Sequence, residues 1–223
     1  APSTKDDLVS VGIPRQNIST FSLGIDHQRY HPGSKSPTPL FICVNRLVKM
    51  KRTDLVIRAM QIIKNTHPQA KLIVVGTGYD RPRLEKLRND LKLQATVGFA
   101  NENVWYFSKH ARDVKVKLMQ QAWALVFPSA KEGWGMTVTE CAACGTPAIV
   151  SGVSGLIDSV QKNKTGIILS PNPAPAEIAA AMTRIITNAV LRKRLSTEAV
   201  AWAGKFSWDK SCRQFEKIIT SQI

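Results

Sequence analysis

The sequence predicts an α/β fold in which a Rossmann-like parallel sheet carries helices on both faces and the chain ends in C-terminal helices. Short apolar runs and helix-compatible segments alternate at least five times along the 223 residues. Runs that are apolar throughout are typical of strands buried on both sides, and their alternation with helices is typical of a parallel sheet. Glycine-bearing turns follow several of these runs, and ligands of parallel sheets bind at such turns.

The first part of the chain is irregular. The pattern predicts a short helix at 6–11, ended by Gly12, and a strand at 18–23. Two prolines and a glycine in 31–37 indicate a loop. We therefore assign residues 1–36 to an N-terminal extension or connecting segment and residues 37–223 to one Rossmann-like domain.

The strands and helices of that domain follow from the spacing of apolar residues. Apolar runs predict strands at 40–44, 71–75, 95–97, 124–127, 148–150 and 167–169. Helical periodicity predicts helices at 53–66, 83–91, 114–121, 136–144, 156–160, 176–188, 189–203 and 208–219. In the first of these helices the apolar residues lie close to one face: Leu55, Val56, Ala59, Met60, Ile62 and Ile63.

The charge balance favours anionic partners. Lysine and arginine total 31 against 16 aspartate and glutamate, which gives a formal net charge of +15. These basic residues are scattered, and we interpret most of them as solvent-facing helix residues. A nucleic-acid-binding module is a rival class, but basic and aromatic residues do not interleave as they do on a single-strand platform, so we expect no nucleic-acid partner.

Two further features concern the cellular compartment. No apolar run approaches the roughly 20 residues of a membrane span, and the polar start lacks the apolar stretch of a signal peptide. The four cysteines form neither a redox motif at a helix start nor a zinc framework, so we expect four buried or half-buried thiols. These features predict a cytoplasmic protein, with peripheral attachment to an anionic inner membrane face as a further expectation.

The turn between the strand at 124–127 and the helix at 136–144 is the strongest candidate site. A strand, a glycine-bearing turn and a helix start follow one another, which directs free N–H groups and a helix dipole at one point and suits a phosphate. Glu132 and Glu140 bracket the turn, and carboxylates accept hydrogen bonds from sugar hydroxyls. This arrangement predicts a pocket for a phosphorylated sugar or a nucleotide-sugar.

A second turn, after the strand at 40–44, carries cations. Arg46 at the strand tip can bind a phosphate through its planar guanidinium, and Lys51 can add a point charge. The alternative interpretation is that Arg46 pairs with a carboxylate while Lys51 faces water. Because both turns lie at the same edge of the predicted sheet, the phosphate-binding interpretation is favoured.

These residues resemble the donor half of a family 4 retaining glycosyltransferase, an enzyme with the two-lobed GT-B fold. The resemblance rests on Arg46-Leu47-Val48 followed by Lys51, and on Glu132-Gly133-Trp134-Gly135 with Glu140 eight positions after Glu132. Other matching segments are Gly24-Ile25-Asp26, Val74-Val75-Gly76-Thr77-Gly78, Cys144-Gly145-Thr146-Pro147, Gly155-Leu156-Ile157-Asp158 and Phe206-Ser207-Trp208.

The resemblance implies a role for each residue of the site. Arg46 and Lys51 would hold the donor diphosphate and stabilise the leaving group, and Glu132 would hold the donor sugar. Glu140 would bind the ribose. The remaining implied donor-binding residues are Gly78, Val97, Gly98 and Phe99, of which the last three would face the base, and Gly133, Trp134, Gly135, Met136 and Thr137. The resemblance also implies no metal and no cofactor beyond the donor, which is a UDP-, GDP- or ADP-sugar.

The sequence departs from the family pattern at several points. Asn45 and Arg52 stand where glycine is usual, and Trp134 stands where phenylalanine is commoner. Residues 101–113 form a longer, polar-aromatic segment that we predict to be a variant loop. The acceptor-binding N-terminal lobe of the family is missing, so we expect this lobe to bind a nucleotide and to need a partner lobe for transfer of a hexosyl group to a sugar or lipid-linked acceptor.

Two alternatives keep the same fold. A nucleotide-sugar epimerase-like enzyme shares the two-lobed architecture, although the Glu132–Glu140 spacing favours transfer. A non-catalytic nucleotide-sugar-binding module would carry the same pocket without the reaction.

Overall fold

A computed structural model describes residues 1–100 and 109–220 of the chain. Its centre is a six-stranded parallel sheet with the order β3-β2-β1-β4-β5-β6. The strands are β1 Leu40–Val44, β2 Lys71–Val75, β3 Val97–Phe99, β4 Ala124–Phe127, β5 Ala148–Val150 and β6 Gly166–Ile168. The predicted fold class is confirmed, and the order reverses at β1 and β4, where parallel sheets open a crevice for ligands.

Helices cover both faces of the sheet. They are α1 Pro2–Ser10, α2 Thr53–Ile63, α3 Arg81–Asp90, α4 Lys109–Gln121, α5 Met136–Ala143, α6 Leu156–Ser159, α7 Pro175–Thr187, α8 Ala189–Ala203 and α9 Trp208–Thr220. Residues 101–108 of the loop predicted at 101–113 lie outside the described residues, and helix α4 already begins at Lys109.

The core is divided into two layers by the sheet, which explains why the strands are apolar throughout. Phe41 and Cys43 of β1 belong to the cluster that includes α2 and α7 residues, whereas Ile42 and Val44 belong to the cluster that includes α4 and α5 residues. Successive side chains of a strand point to opposite faces, so a strand between two helix layers needs apolar residues at every position.

The buried face of helix α2 differs from the predicted one, because Ile57 is fully buried although the apolar pattern did not assign it to that face. Val56, Met60 and Ile63 are buried at i, i+4 and i+7, which is one face of a helix. Ile62, which the apolar pattern assigned to the same face, is 48% exposed. The buried apolar residues of α2 pack in one cluster with residues of the sheet and of α7.

The strand predicted at 18–23 is wrong. Phe21 and Ser22 lie along α9 instead: the Phe21 and Phe215 rings are 5.4 Å apart, and the Ser22 amide donates to Gln214 Oε1 at 3.1 Å. A helix has no free backbone groups along its side, so this segment can form no β-ladder there. The first bridge follows at Ile25, paired with Ser207.

Three of the four cysteines are buried as expected, but Cys212 is exposed, because α9 leaves one side uncovered. Within residues 1–100 and 109–220 no helix has the length and apolar character needed to cross a bilayer.

A cavity at the carboxyl ends of strands β1 and β4

The candidate site is a cavity of about 520 Å³ where β1 and β4 end and α5 begins. Eight of the predicted site residues line it, namely Arg46, Lys51, Glu132, Gly133, Trp134, Gly135, Met136 and Thr137. Five further residues line it that the sequence did not assign to the site: Ala1, Phe21, Leu23, Asn45 and Phe127. The two turns singled out in the sequence therefore form one site.

The cationic turn is fixed to the glutamate turn by backbone and side-chain contacts. A short 3₁₀ turn at Lys49–Lys51 follows β1, and the Ala130 amide donates to the Met50 carbonyl at 2.8 Å. This contact brings Lys51 against Glu132, and the two side chains form an ion pair through Nζ and Oε1. The side chains are only 10% and 14% exposed. The alternative in which Lys51 faces water is wrong.

Arg46 has the opposite surroundings. Its side chain is exposed at the mouth of the cavity and makes no hydrogen bond or ion pair within the described ranges. The alternative that pairs Arg46 with a carboxylate is therefore not observed there. A free guanidinium offers a planar pair of donors to a phosphate or carboxylate.

The start of α5 supplies unpaired backbone donors. In the described part of the chain, the N–H groups of Trp134, Gly135, Met136 and Thr137 have no hydrogen-bond partner, and no side chain caps the helix. Gly135 has φ +89°, and a Cβ there would lie 2.8 Å from Leu156 Cδ2. Glycine is therefore needed for the turn that directs these donors toward the cavity.

Two buried side-chain donors among the lining residues also have no hydrogen-bond partner in the part of the chain that the structure describes. They are Asn45 Nδ2 and Trp134 Nε1. The Trp134 ring packs edge-on against Phe206, with ring centroids 5.3 Å apart. Buried N–H groups without a partner are rare in folded proteins, and a bound ligand rich in oxygen atoms would satisfy them.

Arg52 shows why glycine is usual at its position in the resembled family. Its backbone is left-handed, with φ +53°, which glycine adopts without strain. The side chain compensates by donating to the Pro171 carbonyl at 2.9 Å and to Asn172 Oδ1 at 2.6 Å. The turn that carries Lys51 is thus tied to the loop after β6.

Glu140 does not line the cavity, but lies behind it on α5. Its Oε2 accepts a hydrogen bond from Lys115 Nζ at 3.1 Å, and Lys115 also lies 5.4 Å from the centre of the Tyr30 ring. Burial and the Glu140 carboxylate raise the pKa of Tyr30 to about 12. Burial alone would lower the pKa of Lys115, but attraction to Glu140 and Tyr30 outweighs burial and raises it.

Lys115 and Tyr30 were missed in the sequence. Lys115 was interpreted as a solvent-facing helix residue, yet it is 7% exposed. A signal was available: Lys115, Met119 and Ala122 are spaced as one helical face, and the last two are apolar and fully buried. A lysine on an apolar face indicates a buried charge that needs a partner.

The other predicted residues lie elsewhere. Gly78 packs on the loop after β1, since a Cβ there would lie 2.3 Å from the Leu47 carbonyl oxygen, so its position is explained by close backbone packing. Val97, Gly98 and Phe99 form β3, the edge strand beyond β2, and do not line the cavity. Their role toward a base stays a prediction.

No group of three or more histidine, cysteine, aspartate or glutamate side chains within 1–100 and 109–220 is arranged to hold a metal ion. The expectation of a metal-free site stays a prediction.

Comparison with known families assigns this architecture. A family model described as glycosyl transferases group 1 matches residues 25–202. The chain belongs to this family. The match includes all of the sheet and every predicted site residue.

A named relative agrees with the family assignment. D-inositol 3-phosphate glycosyltransferase of Thermomonospora curvata is 28% identical over 96% of this chain and 52% of its own length. The chain spans about half the length of the curated relatives it matches.

Solved structures of the GT-B type share the fold. HepE of Anabaena, solved in complex with UDP and glucose, superposes with a TM-score of 0.83 at 18% identity, covering 97% of this chain and 60% of HepE. The C-terminal domain of LpcC, a group 1 glycosyl transferase of Francisella tularensis, superposes with a TM-score of 0.70 at 17% identity, covering 82% of this chain and 97% of that domain.

Proposed function

We propose that this chain is the donor-binding lobe of a retaining, family 4 glycosyltransferase and binds a nucleoside-diphosphate sugar in the β1–β4 cavity. The observation that carries the proposal is the joining of a free guanidinium, a buried Lys51–Glu132 pair and an uncapped helix start in one cavity. Cations and backbone donors suit a diphosphate, while the carboxylate suits sugar hydroxyls.

Each group has a task in this proposal. Arg46 and the α5 amides bind the diphosphate and stabilise the negative charge that develops when the bond between the sugar carbon and the phosphate oxygen breaks. A lysine ammonium has three donors, so Lys51 can hold Glu132 with one and the phosphate with another. Glu132, held in place by Lys51, accepts hydrogen bonds from the sugar.

In this proposal Glu140, which lies behind the cavity on α5, binds the ribose of the donor. Its contacts with Lys115 and Tyr30 hold the carboxylate in place. The ligands named for HepE, UDP and glucose, make a uridine nucleotide the first donor to test. The reaction needs no cofactor other than the donor.

We further propose that another part of the protein supplies the acceptor lobe, and that the acceptor is a sugar or a lipid-linked sugar. The half-length match to the curated relatives supports the first part, and the inositol phosphate in the name of one relative supports a polar hydroxylated acceptor. The retaining outcome is tested by the anomeric configuration of the product.

Location at the inner face of an anionic membrane, in the cytoplasm, completes the proposal. The net charge of +15 supports it, since a cationic protein is attracted to anionic lipid. Sedimentation with phosphatidylserine vesicles at low salt tests this membrane attachment. If all of the protein stays in the supernatant, the proposed attachment is contradicted.

Calorimetric titration of the chain with UDP, GDP and ADP tests the donor site. Selective binding of one nucleotide is expected, and Arg46→Ala should weaken it by roughly 10-fold or more, because a hydrogen-bonded charge is lost. Arg194→Ala is the matched control, since it removes the same charge from an exposed position on α8. Equal affinities of the two variants would contradict the assignment of Arg46.

A further inference from the structure

The side chain of Asn45 has an unusual environment at the wall of the cavity. Only 3% of the residue is exposed, and its Nδ2 is fully buried without a hydrogen-bond partner among residues 1–100 and 109–220. Asn45 immediately follows β1 and precedes Arg46, so its amide lies on the cationic side of the site. A buried amide with unused donors indicates that a bound ligand accepts hydrogen bonds from it.

Thr53 determines which end of the amide is left unpaired. The Thr53 hydroxyl, itself buried at the first position of α2, donates to Asn45 Oδ1 at 3.4 Å. The oxygen of the amide is therefore engaged, and the two N–H groups of Nδ2 remain for another acceptor.

A purely structural role does not explain the asparagine. The end of β1 is already held by the backbone, because the Asn45 amide donates to the Val75 carbonyl at 3.1 Å. The contact with Thr53 is long and needs only an acceptor oxygen. Neither interaction uses the Nδ2 group.

We propose that Asn45 is a donor-site residue whose Nδ2 donates a hydrogen bond to a phosphate oxygen of the bound nucleoside diphosphate. This inference rests on the proposed donor site and adds to it a residue at a position where the resembled family usually has glycine. A phosphate is favoured over a sugar hydroxyl because Arg46, the next residue in the chain, and Lys51 line the same cavity. A neutral N–H donor beside two cations suits the binding of an anion.

Asn45→Asp is the sharpest test, because aspartate keeps the oxygen that Thr53 binds and replaces only Nδ2. We expect it to weaken UDP binding by at least about 10-fold near pH 8, through loss of a donor and repulsion between carboxylate and phosphate. Asn89→Asp, which adds the same charge at an exposed position on α3, is the matched control and should bind UDP as the unmodified chain does.

A second variant and a second ligand separate the remaining outcomes. Asn45→Ala removes the donor without adding a charge, and it should also weaken UDP binding, by a smaller factor. It provides the test if Asn45→Asp fails to fold. If only UDP-glucose binding weakens while UDP binding is unchanged, Asn45 contacts the sugar and the phosphate assignment is overturned.

The inference and the proposed function fail in different ways. If the unmodified chain binds UDP and both Asn45 variants, shown to be folded by circular dichroism, bind it equally well, the inference alone is overturned. If the unmodified chain binds none of UDP, GDP and ADP, the proposed donor site itself is overturned, and with it the assignment of Asn45.

Discussion

The Lys51–Glu132 pair lies between the two turns of the cavity, with both side chains almost wholly removed from water. Removing one ion from water costs several kcal/mol of folding free energy. Attraction to the oppositely charged partner offsets this cost, so the loss of either partner leaves the other charge uncompensated. The pair therefore specifies the geometry of the cavity more than it adds net stability. It also holds the Glu132 carboxylate in place as a hydrogen-bond acceptor.

Glu132→Gln should lower the free energy of unfolding by about 3 kcal/mol, because it leaves the Lys51 ammonium buried without a counter-charge. The double variant Lys51→Met/Glu132→Gln should be closer to the unmodified chain than the sum of the single changes predicts. Urea denaturation of the four proteins measures this coupling. Additive losses would show that the pair is not coupled in solution.

Tyr30 provides a pH-dependent prediction at the same scale. Its folded-state pKa of about 12 exceeds the ordinary value of 10.0, through burial and then Glu140. The folded state therefore holds the Tyr30 phenol proton more tightly than the unfolded state does. The resulting stabilisation of the fold is complete below pH 10 and is lost as the pH rises toward 12.

Tyr30→Phe should remove this part of the pH dependence. The difference in phenolate absorbance between the two proteins should titrate near pH 12, and the unmodified chain should lose more stability than the variant between pH 10 and 12. A difference titrating near pH 10 would show that Tyr30 is not buried against Glu140.

At the scale of elements, the turn before α5 depends on Gly135 more than on Gly133. Gly135 is left-handed and in contact with Leu156, whereas a Cβ at Gly133 would meet nothing within 4 Å. The two positions lie two residues apart in the same turn, so they form a matched pair.

Gly135→Ala should destabilise the fold by about 2 kcal/mol, since an L-residue is strained in this conformation and its Cβ is too close to Leu156. Gly133→Ala should change the stability by less than about 0.5 kcal/mol, as is usual for open surface positions. Thermal unfolding of both variants provides the comparison, and equal melting temperatures would contradict the geometry of the turn.

At the scale of the whole molecule, the cavity is only partly enclosed, and Ala1, Phe21 and Leu23 of the N-terminal segment contribute to its lining. The chain spans about half of its curated relatives, so the groups that bind an acceptor are expected elsewhere in the protein.

This chain alone should bind the nucleotide but show little or no sustained sugar transfer, because water reaches the open donor site and no acceptor lobe orients the attacking hydroxyl. Product analysis with a labelled nucleotide-sugar and candidate acceptors measures the transfer, hydrolysis and epimer products. Sustained transfer by the isolated chain would contradict the division of labour between two lobes.

The sequence by itself determined the parallel sheet, its helices and the two turns of the site, because these depend on local periodicity and on glycines at strand ends. β1, β2, β4 and β5 were predicted with their observed bounds, while β3 and β6 begin two residues later and one residue earlier than predicted. The strand at 18–23 failed because an apolar run does not reveal whether a neighbouring strand or a helix covers it.

Only the tertiary structure decided which charges meet. Lys51 and Glu132 are 81 residues apart, and Lys115 and Glu140 are 25 apart, so no local pattern pairs them. The unpaired amide of Asn45 is likewise a property of its surroundings and not of the residue type. The pairing of charges and their removal from water depend on how distant turns pack together, and that packing brings the two sequence motifs into one cavity.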